Sequence, residues 1–260
     1  MLLALDIGNT NIVLGVYEEG VLQAHWRIAT ERNKTVDQFA LEVHNLLGFR
    51  GLTFAQIDAV IFSNVVPPLM DRAKELSSRY LGVEPLVVGE NVDVGLPIHY
   101  QPPSEVGADR LVNAVAAMAR CGQPVIVVDF GTATTVDVVS AEGAYLGGAI
   151  APGIMISTQA LFSHAARLPR IELALPPTAI GTNTVHAMQS GIMWGYVGLV
   201  RELVTRFRAE LGTAAPVIAT GGLCSVLGPE TGVVDIVEPE LTLRGLWLLY
   251  ERHLRASRKA

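Results

Sequence analysis

The sequence of 260 residues is half hydrophobic and carries a formal net charge of −6. That length and apolar content allow one large or two small domains with buried cores, and they exclude a disordered chain. The acids are scattered, and a solvated helix end explains the single basic run, Arg252 to Lys259. Both features disfavour nucleic acid as a partner. The apolar stretches fall short of the roughly 18 residues that a membrane span requires.

The N-terminus and the reactive side chains narrow the class of protein further. The apolar start Met1 to Leu5 meets Asp6 before it could form a secretory segment, so a cytoplasmic protein is expected. The two cysteines, Cys121 and Cys224, lack a CxxC spacing, and the six histidines are dispersed. This pattern disfavours disulfides and a zinc or other transition-metal site.

The first half of the chain reads as strands followed by helices. Two short apolar runs separated by a turn of small polar residues predict a β-hairpin. Apolar spacing then predicts further elements. They are strands over Leu2–Leu5, Ile12–Tyr17, Val21–Ala29 and Ala59–Val65, and helices over Val36–Leu47 and Leu69–Tyr80. This order predicts an α/β layered domain.

The second half repeats the opening pattern. The turn Asp129 to Thr134 lies between apolar strands, as the turn Asp6 to Asn11 does, and both begin with Asp, an apolar residue and Gly. The matching strand-turn-strand context favours a degenerate duplication over chance. A third glycine-rich turn, Val217 to Gly222, ends a late strand.

Two helices close the chain. A long helix is predicted over Asn183 to Leu211, with Gly191, Gly195 and Gly198 on one face. That face could pack against the chain's own sheet or against a helix of a second subunit. The last helix, Leu241 to Arg255, is amphipathic and is expected to cover a sheet.

The two duplicated turns have the chemistry of a phosphate site. Glycine lets backbone N–H groups approach an anion, while neighbouring Asn and Thr side chains add donors. Asp6 and Asp129 would supply carboxylates for a cation. The alternative is that each Asp only caps a tight turn. The sequence contains neither a P-loop nor a strand-linked GxGxxG.

The segment Gly107-Ala108-Asp109-Arg110 places an acid beside a base. Asp109 could accept or orient a substrate hydroxyl proton, and Arg110 could bind an anionic oxygen. Taken alone, the pair could equally be a first-turn acid and a surface arginine of a helix over Asp109 to Arg120.

Five motifs together resemble the type III pantothenate kinases, within the sugar kinase, Hsp70 and actin superfamily. The resemblance covers essentially the whole chain, and GADR between two DxG turns is its most specific part. The motifs are Asp6–Asn11, Ser63–Pro68, Gly107–Arg110, Asp129–Thr134 and Gly147–Gly153.

The resemblance implies an α/β fold of two duplicated ribonuclease H-like domains, with ATP bound between them. The domains are expected at residues 1–115 and 116–260, with the last helix as a candidate to pack back on the first. The implied reaction is ATP-dependent phosphorylation of pantothenate to 4′-phosphopantothenate, the first step of coenzyme A synthesis. A homodimer, Mg²⁺ and a monovalent cation, K⁺ or NH₄⁺, are also implied.

The resemblance also assigns roles to individual residues. Asp109 is the expected proton acceptor, Asp129 the ligand of the monovalent cation, and Asp6 a ligand of Mg²⁺ through water. The expected ATP contacts are Asp6, Ile7, Gly8, Asn9, Thr10, Asn11, Ile12, Val13 and Thr132. The expected pantothenate contacts are Tyr100, Gly107, Ala108, Asp109, Arg110 and Thr184. Asn64 stands where many family members have Ser.

Two other interpretations remain open from the sequence. Some relatives of this family are described as non-catalytic accessory factors in gene regulation, although the intact Asp6, Asp109, Arg110 and Asp129 argue against that role here. A kinase of the same superfamily could also act on another small hydroxyl compound.

Overall fold

A computed structural model describes residues 1–165 and 167–257 of the chain. The chain folds into two compact units. The first unit comprises Met1–Leu96, Gln101–Ala116 and the C-terminal helix from Leu241, whereas the second comprises Pro97–Tyr100 and Ala117–Glu240. No helix in the described ranges is long and apolar enough to cross a membrane.

The first unit is built on a five-stranded sheet of order β3-β2-β1-β4-β5. β2 pairs antiparallel with β1 and β3, while β4 runs parallel to β1 and β5. Its strands are β1 Leu2–Ile7, β2 Asn11–Glu18, β3 Val21–Ala29, β4 Ala59–Asn64 and β5 Leu86–Val87. Its helices are α1 Val36–Gly48, α2 Met70–Glu75, α3 Ala108–Cys121 and α7 Leu241–Ser257. A π-helical turn, Leu76–Leu81, continues α2, and the first nine residues of α3 belong to this unit.

Strand alternation divides this sheet into two different faces. On β1, Leu3, Leu5 and Ile7 are buried in a core that α1 completes. The opposite face carries Leu2, Ala4 and Asp6, because successive side chains of a strand point to opposite sides. α7 covers the apolar part of this second face, and a Cβ built at Gly15 would lie only 2.9 Å from Leu243 Cδ1. The sheet is therefore apolar on both sides except at its turn end.

The second unit repeats this topology in a sheet of order β10-β9-β6-β7-β8. Here β6 is equivalent to β1, β7 to β2, β8 to β3, β9 to β4 and β10 to β5, with the same parallel and antiparallel pairings. The strands are β6 Val125–Phe130, β7 Ala133–Val139, β8 Tyr145–Pro152, β9 Val217–Thr220 and β10 Ile236–Val237. The helices are α4 Ile154–His164, α5 Thr184–Leu211 and α6 Cys224–Thr231.

The two matching sheets confirm the predicted α/β fold class and the duplication. Of the two alternatives for the glycine face of the long helix, packing on the chain's own sheet is not found in the residues described. Cβ atoms built at Gly191, Gly195 and Gly198 would meet no other group within 4 Å. The opposite face of α5 supplies Met193, Val197, Val200 and Val204 to the core instead.

Candidate active site

The first glycine turn joins β1 to β2 in the first unit and is held tightly in place. Gly8 N donates to Asn11 O at 3.0 Å, and Thr30 Oγ1 donates to Gly8 O at 2.6 Å. Arg32 Nη2 donates to Asn9 Oδ1 at 3.1 Å, from the loop after β3. Asn9 and Thr10 are exposed at the tip. The turn therefore presents side-chain and backbone donors to solvent from a fixed backbone.

Asp6 lies at the inner end of this turn, on the face of the sheet that α7 leaves partly open. Ser63 Oγ donates to Asp6 Oδ1 at 2.8 Å. The pKa of the Asp6 carboxyl is raised to about 7, first by burial and then by the neighbouring charge of Asp109, against the opposing effects of the Ser63 hydrogen bond and of Arg27. Both predicted acids of the first unit thus belong to one electrostatic site.

Asp109 enters this site from the first turn of α3. Its Oδ1 accepts the Arg110 backbone N–H at 2.8 Å, and a Cβ built at Gly107 would lie 2.5 Å from the same oxygen. Glycine at 107 therefore leaves room for the carboxylate to fold back over the start of the helix, and a side chain at 107 would displace it. Asp109 is half-buried, and Arg110 is 8% exposed.

The second glycine turn joins β6 to β7 in the second unit. Asp129 lies beneath Gly221, since a Cβ built at Gly221 would lie 2.4 Å from Asp129 Oδ1 and 2.7 Å from the Phe130 backbone. Gly221 also has a positive φ of 92°, so both the close contact with Asp129 and the backbone conformation favour glycine at this position. Gly153 N donates to Thr132 O at 3.1 Å, which fixes the turn from the end of β8.

Each turn acid has a buried hydroxyl residue beside it that sequence reasoning missed. Ser63 pairs with Asp6 in the parallel β1–β4 register, and Thr220 pairs with Asp129 in the equivalent β6–β9 register. Ser63 is fully buried and Thr220 is 1% exposed. The duplication therefore extends beyond the hairpins to the strand next to each of them.

The remaining predicted residues lie in the second unit. The Tyr100 ring packs on Gly147 of β8, with 3.0 Å from Tyr100 Cδ2 to a Cβ built there. Thr184 is the exposed first residue of α5, whose N-cap Asn183 accepts the His186 N–H at 2.9 Å. Thr184 lines an open groove of about 910 Å³ between α4, the segment Gly181–Asn183 and the glycine face of α5.

The structure thus groups the predicted residues by unit. Asp6 to Val13 and Gly107 to Arg110 belong to the first unit, in which Asp6 and Asp109 interact. Tyr100, Asp129 and Thr132, together with Thr184, belong to the second unit.

Comparison with known proteins assigns the chain to a family. Residues 2–206 match the family model of the type III pantothenate kinases. A curated type III pantothenate kinase from Moorella thermoacetica is 52% identical over 253 residues, which span 97% of this chain and 100% of that protein. The chain belongs to the type III pantothenate kinase family. The predicted resemblance is confirmed.

Solved structures of distant proteins share the fold of this chain. A Campylobacter jejuni protein, provisionally described as a Baf family transcriptional activator, is 20% identical with a TM-score of 0.63, covering 97% of this chain and 99% of that one. A Sinorhizobium meliloti protein, provisionally described as a 2-dehydro-3-deoxygalactonokinase, is 13% identical with a TM-score of 0.57, covering 97% and 96%. At these identities the likeness shows the fold alone.

The donor set near Asp6 is compatible with a divalent cation that the kinase would bind together with ATP. Two interacting carboxylates, Asp6 and Asp109, create negative charge that a cation would offset. Within residues 1–165 and 167–257, no cluster of three or more His, Cys, Asp or Glu could hold a metal. Mg²⁺ in kinases is usually held by one or two carboxylates plus substrate phosphates rather than by a cage of protein ligands.

Proposed function

We propose that this protein catalyses ATP-dependent phosphorylation of pantothenate to 4′-phosphopantothenate, the first step of coenzyme A biosynthesis. Membership of the type III pantothenate kinase family carries the reaction, at 52% identity to a curated member. The observation that carries the site is the interaction between Asp6 at the phosphate turn and Asp109 on α3. A phosphate-binding turn beside an acid is the arrangement that phosphoryl transfer to a hydroxyl requires.

ATP phosphates bind the fixed turn of the first unit in this proposal. Asp6 to Val13 supply the backbone and side-chain donors, and Thr132 is proposed as a further ATP contact. When bound, Mg²⁺ would neutralise the charge that develops on the transferred phosphate, and Asp6 would hold it through water. The tight backbone at Gly8 supports this role, because a Cβ there would lie 3.0 Å from Asn11 O.

Pantothenate is the proposed acceptor, and Asp109 accepts the proton from its hydroxyl. Arg110, with Gly107 and Ala108, would bind the polar groups of pantothenate from the start of α3, and Tyr100 and Thr184 are proposed as further pantothenate contacts. Arg110 suits a carboxylate because its guanidinium donates two parallel hydrogen bonds. The protein is proposed to act in the cytoplasm.

The decisive experiment is a coupled assay of ADP release by the purified protein. We expect ADP release with MgATP only when pantothenate is added, together with formation of 4′-phosphopantothenate. If ADP were released with another small hydroxyl compound and not with pantothenate, that compound would replace pantothenate as the proposed acceptor. Absence of release with every acceptor would support the non-catalytic interpretation instead.

Asp129 is proposed to bind a monovalent cation, K⁺ or NH₄⁺. Its carboxylate lies beneath Gly221 and beside Gly131, so backbone groups can approach it closely. We expect kcat to fall by about tenfold or more when K⁺ is replaced by Na⁺, and Asp129→Asn to abolish the difference between the two salts. Steady-state rates in matched KCl and NaCl buffers measure this, and equal rates of the wild type would remove Asp129 from the role.

The kinase is also proposed to be a homodimer that uses the glycine face of α5. This face is exposed within one chain and lines the groove that contains Thr184. Close approach of a second helix would explain three glycines on one face, because each lacks a side chain that would separate the backbones.

The dimer can be tested with Gly195→Leu. The space around Gly195 is open within the chain, so the variant should fold, and leucine should stabilise the helix by about 0.8 kcal/mol. We expect it to raise the dimer dissociation constant by about 100-fold or more, measured by light scattering over a dilution series. Gly48→Leu, at the exposed end of α1, is the matched control and should leave the mass unchanged. An unchanged mass of Gly195→Leu would contradict the proposed interface.

A further inference from the structure

The open end of the first sheet carries a row of side chains that no single motif contains. Strand register places Ser63, Asp6, Val13 and Arg27 directly beside one another on four adjacent strands, β4, β1, β2 and β3. Residues opposite one another in register point to the same face of a sheet. Arg27 therefore projects from the same face as the turn acid Asp6, two strands away.

This row lies where α7 stops covering the sheet. Gly15, two residues beyond Val13 on the same face, is buried beneath Leu243 of α7. Val13 and Asp6 are only partly buried, and Arg27 is exposed. The row therefore forms the floor of an accessible surface at the phosphate turn.

Arg27 is close enough to Asp6 to act on it electrostatically across Val13. The strand spacing puts the two Cα atoms roughly 10 Å apart. Valine in between is short, so the long arginine side chain can extend over it along the sheet surface. A ligand bound at the turn and over Asp6 would therefore contact the Arg27 guanidinium.

The fold itself does not require an arginine at this place. In the second unit the equivalent row is Thr220, Asp129, Thr135 and Ile150, which repeats the hydroxyl and the acid but ends in an exposed isoleucine. The two halves of the duplication therefore differ in charge at this position. Only the unit that contains Asp109 has a positively charged side chain, Arg27, at this position.

We propose that Arg27 binds the β- and γ-phosphate groups of ATP at the Gly8–Asn11 turn. The inference rests on the proposed kinase function and adds a binding residue to it. Two carboxylates, Asp6 and Asp109, repel a polyphosphate, and a guanidinium beside them offsets that repulsion. Arginine also donates charge-assisted hydrogen bonds to phosphate oxygens in a planar fork.

Direct nucleotide binding tests the proposal with Arg27→Gln, Arg27→Lys and the control Arg50→Gln. Arg50 is the control because it is an exposed arginine in the same unit. Its guanidinium donates to the backbone oxygen of Gln23 on β3 at 3.4 Å. By calorimetry, we expect Arg27→Gln to weaken MgATP binding by about tenfold to a hundredfold, the worth of a hydrogen bond between charged groups. AMP affinity should change less than about twofold, because AMP lacks the β- and γ-phosphates.

The lysine variant and the control complete the test. Arg27→Lys should recover part of the MgATP affinity, and Arg50→Gln should match the wild type. An equal loss for MgATP and AMP, or no loss for MgATP, would overturn the proposal. Binding does not depend on the acceptor, so a wild type that binds MgATP but fails to phosphorylate pantothenate would refute the proposed function and still leave the role of Arg27 measurable. In turnover, kcat/KM for ATP should fall while KM for pantothenate is retained.

Discussion

Replacement of Asp109 by Asn is expected to lower kcat by about 100- to 1,000-fold, the typical contribution of a positioned acid–base group. Asparagine keeps the size of the side chain and an oxygen that can accept the Arg110 N–H, which Asp109 accepts at 2.8 Å. It cannot accept a proton from a substrate hydroxyl. The start of α3 should therefore remain folded while turnover is lost.

Steady-state kinetics with pantothenate and MgATP measure this effect. Glu105→Gln is the matched control, because Glu105 is an exposed acid in the turn Pro103–Glu105 just before α3. It should retain wild-type turnover. Near-wild-type turnover of Asp109→Asn would refute the assignment of Asp109 as proton acceptor. A loss of turnover accompanied by a large fall in melting temperature would instead identify Asp109 as a structural residue.

Replacement of Asp6 by Asn is expected to abolish most activity and yet to stabilise the protein at pH 8. The folded protein raises the pKa of Asp6 from 3.8 to about 7, chiefly because burial disfavours the charged form. Between about pH 4 and pH 7 the folded state keeps a proton that the unfolded state has lost. Stability contributed by this group therefore falls as pH rises through that range, and the full penalty applies above pH 7.

The size of this penalty follows from the shift. About three pKa units correspond to about 4 kcal/mol, and solvent screening of the partly exposed Asp6 reduces this to about 2 kcal/mol. Urea unfolding without nucleotide or divalent cations should show a gain of that size for Asp6→Asn at pH 8, which shrinks towards zero near pH 4.

Controls separate this effect from a general loss of charge. Asp71→Asn removes an exposed acid in the first turn of α2 and should show no such pH-dependent gain. If Asp6→Asn were less stable than the wild type at pH 8, the raised pKa of Asp6 would be contradicted. For activity, we expect kcat/KM for ATP to fall by about 100-fold or more, because Asp6 is the proposed ligand of the ATP-bound Mg²⁺.

Local patterns in the sequence were sufficient to predict the hairpins and their duplication. The turn Asp6 to Asn11 and its repeat at Asp129 to Thr134 lie between antiparallel strands in the structure, and each is defined by residues close in the chain. The long helix α5 was predictable for the same reason. By contrast, α4 and the two-residue strands β5 and β10 were not predicted, since the strands are too short to show a period and the apolar residues of α4 do not form a clear stripe.

The neighbours of the acids could not be predicted, because they depend on strand register over long separations. Ser63 reaches Asp6 across 57 residues, through the parallel pairing of β1 with β4. Arg27 joins the same row only because β2 and β3 pair in one particular register. The contribution of Asp109 to the raised pKa of Asp6 likewise depends on α3 lying near β1, which no local spacing indicates.

The position of α7 has a consequence for the order in which the protein can fold during synthesis. The ribosome makes the strands of the first unit before the second unit, but it makes α7, which covers Gly15 and packs Gly245 against Val112, only after the second unit. A nascent chain therefore carries its complete phosphate turn on a sheet with one uncovered apolar face until α7 is made. Chaperones would hold that face in the meantime, and a prematurely terminated chain would expose it permanently, which marks such a fragment for degradation.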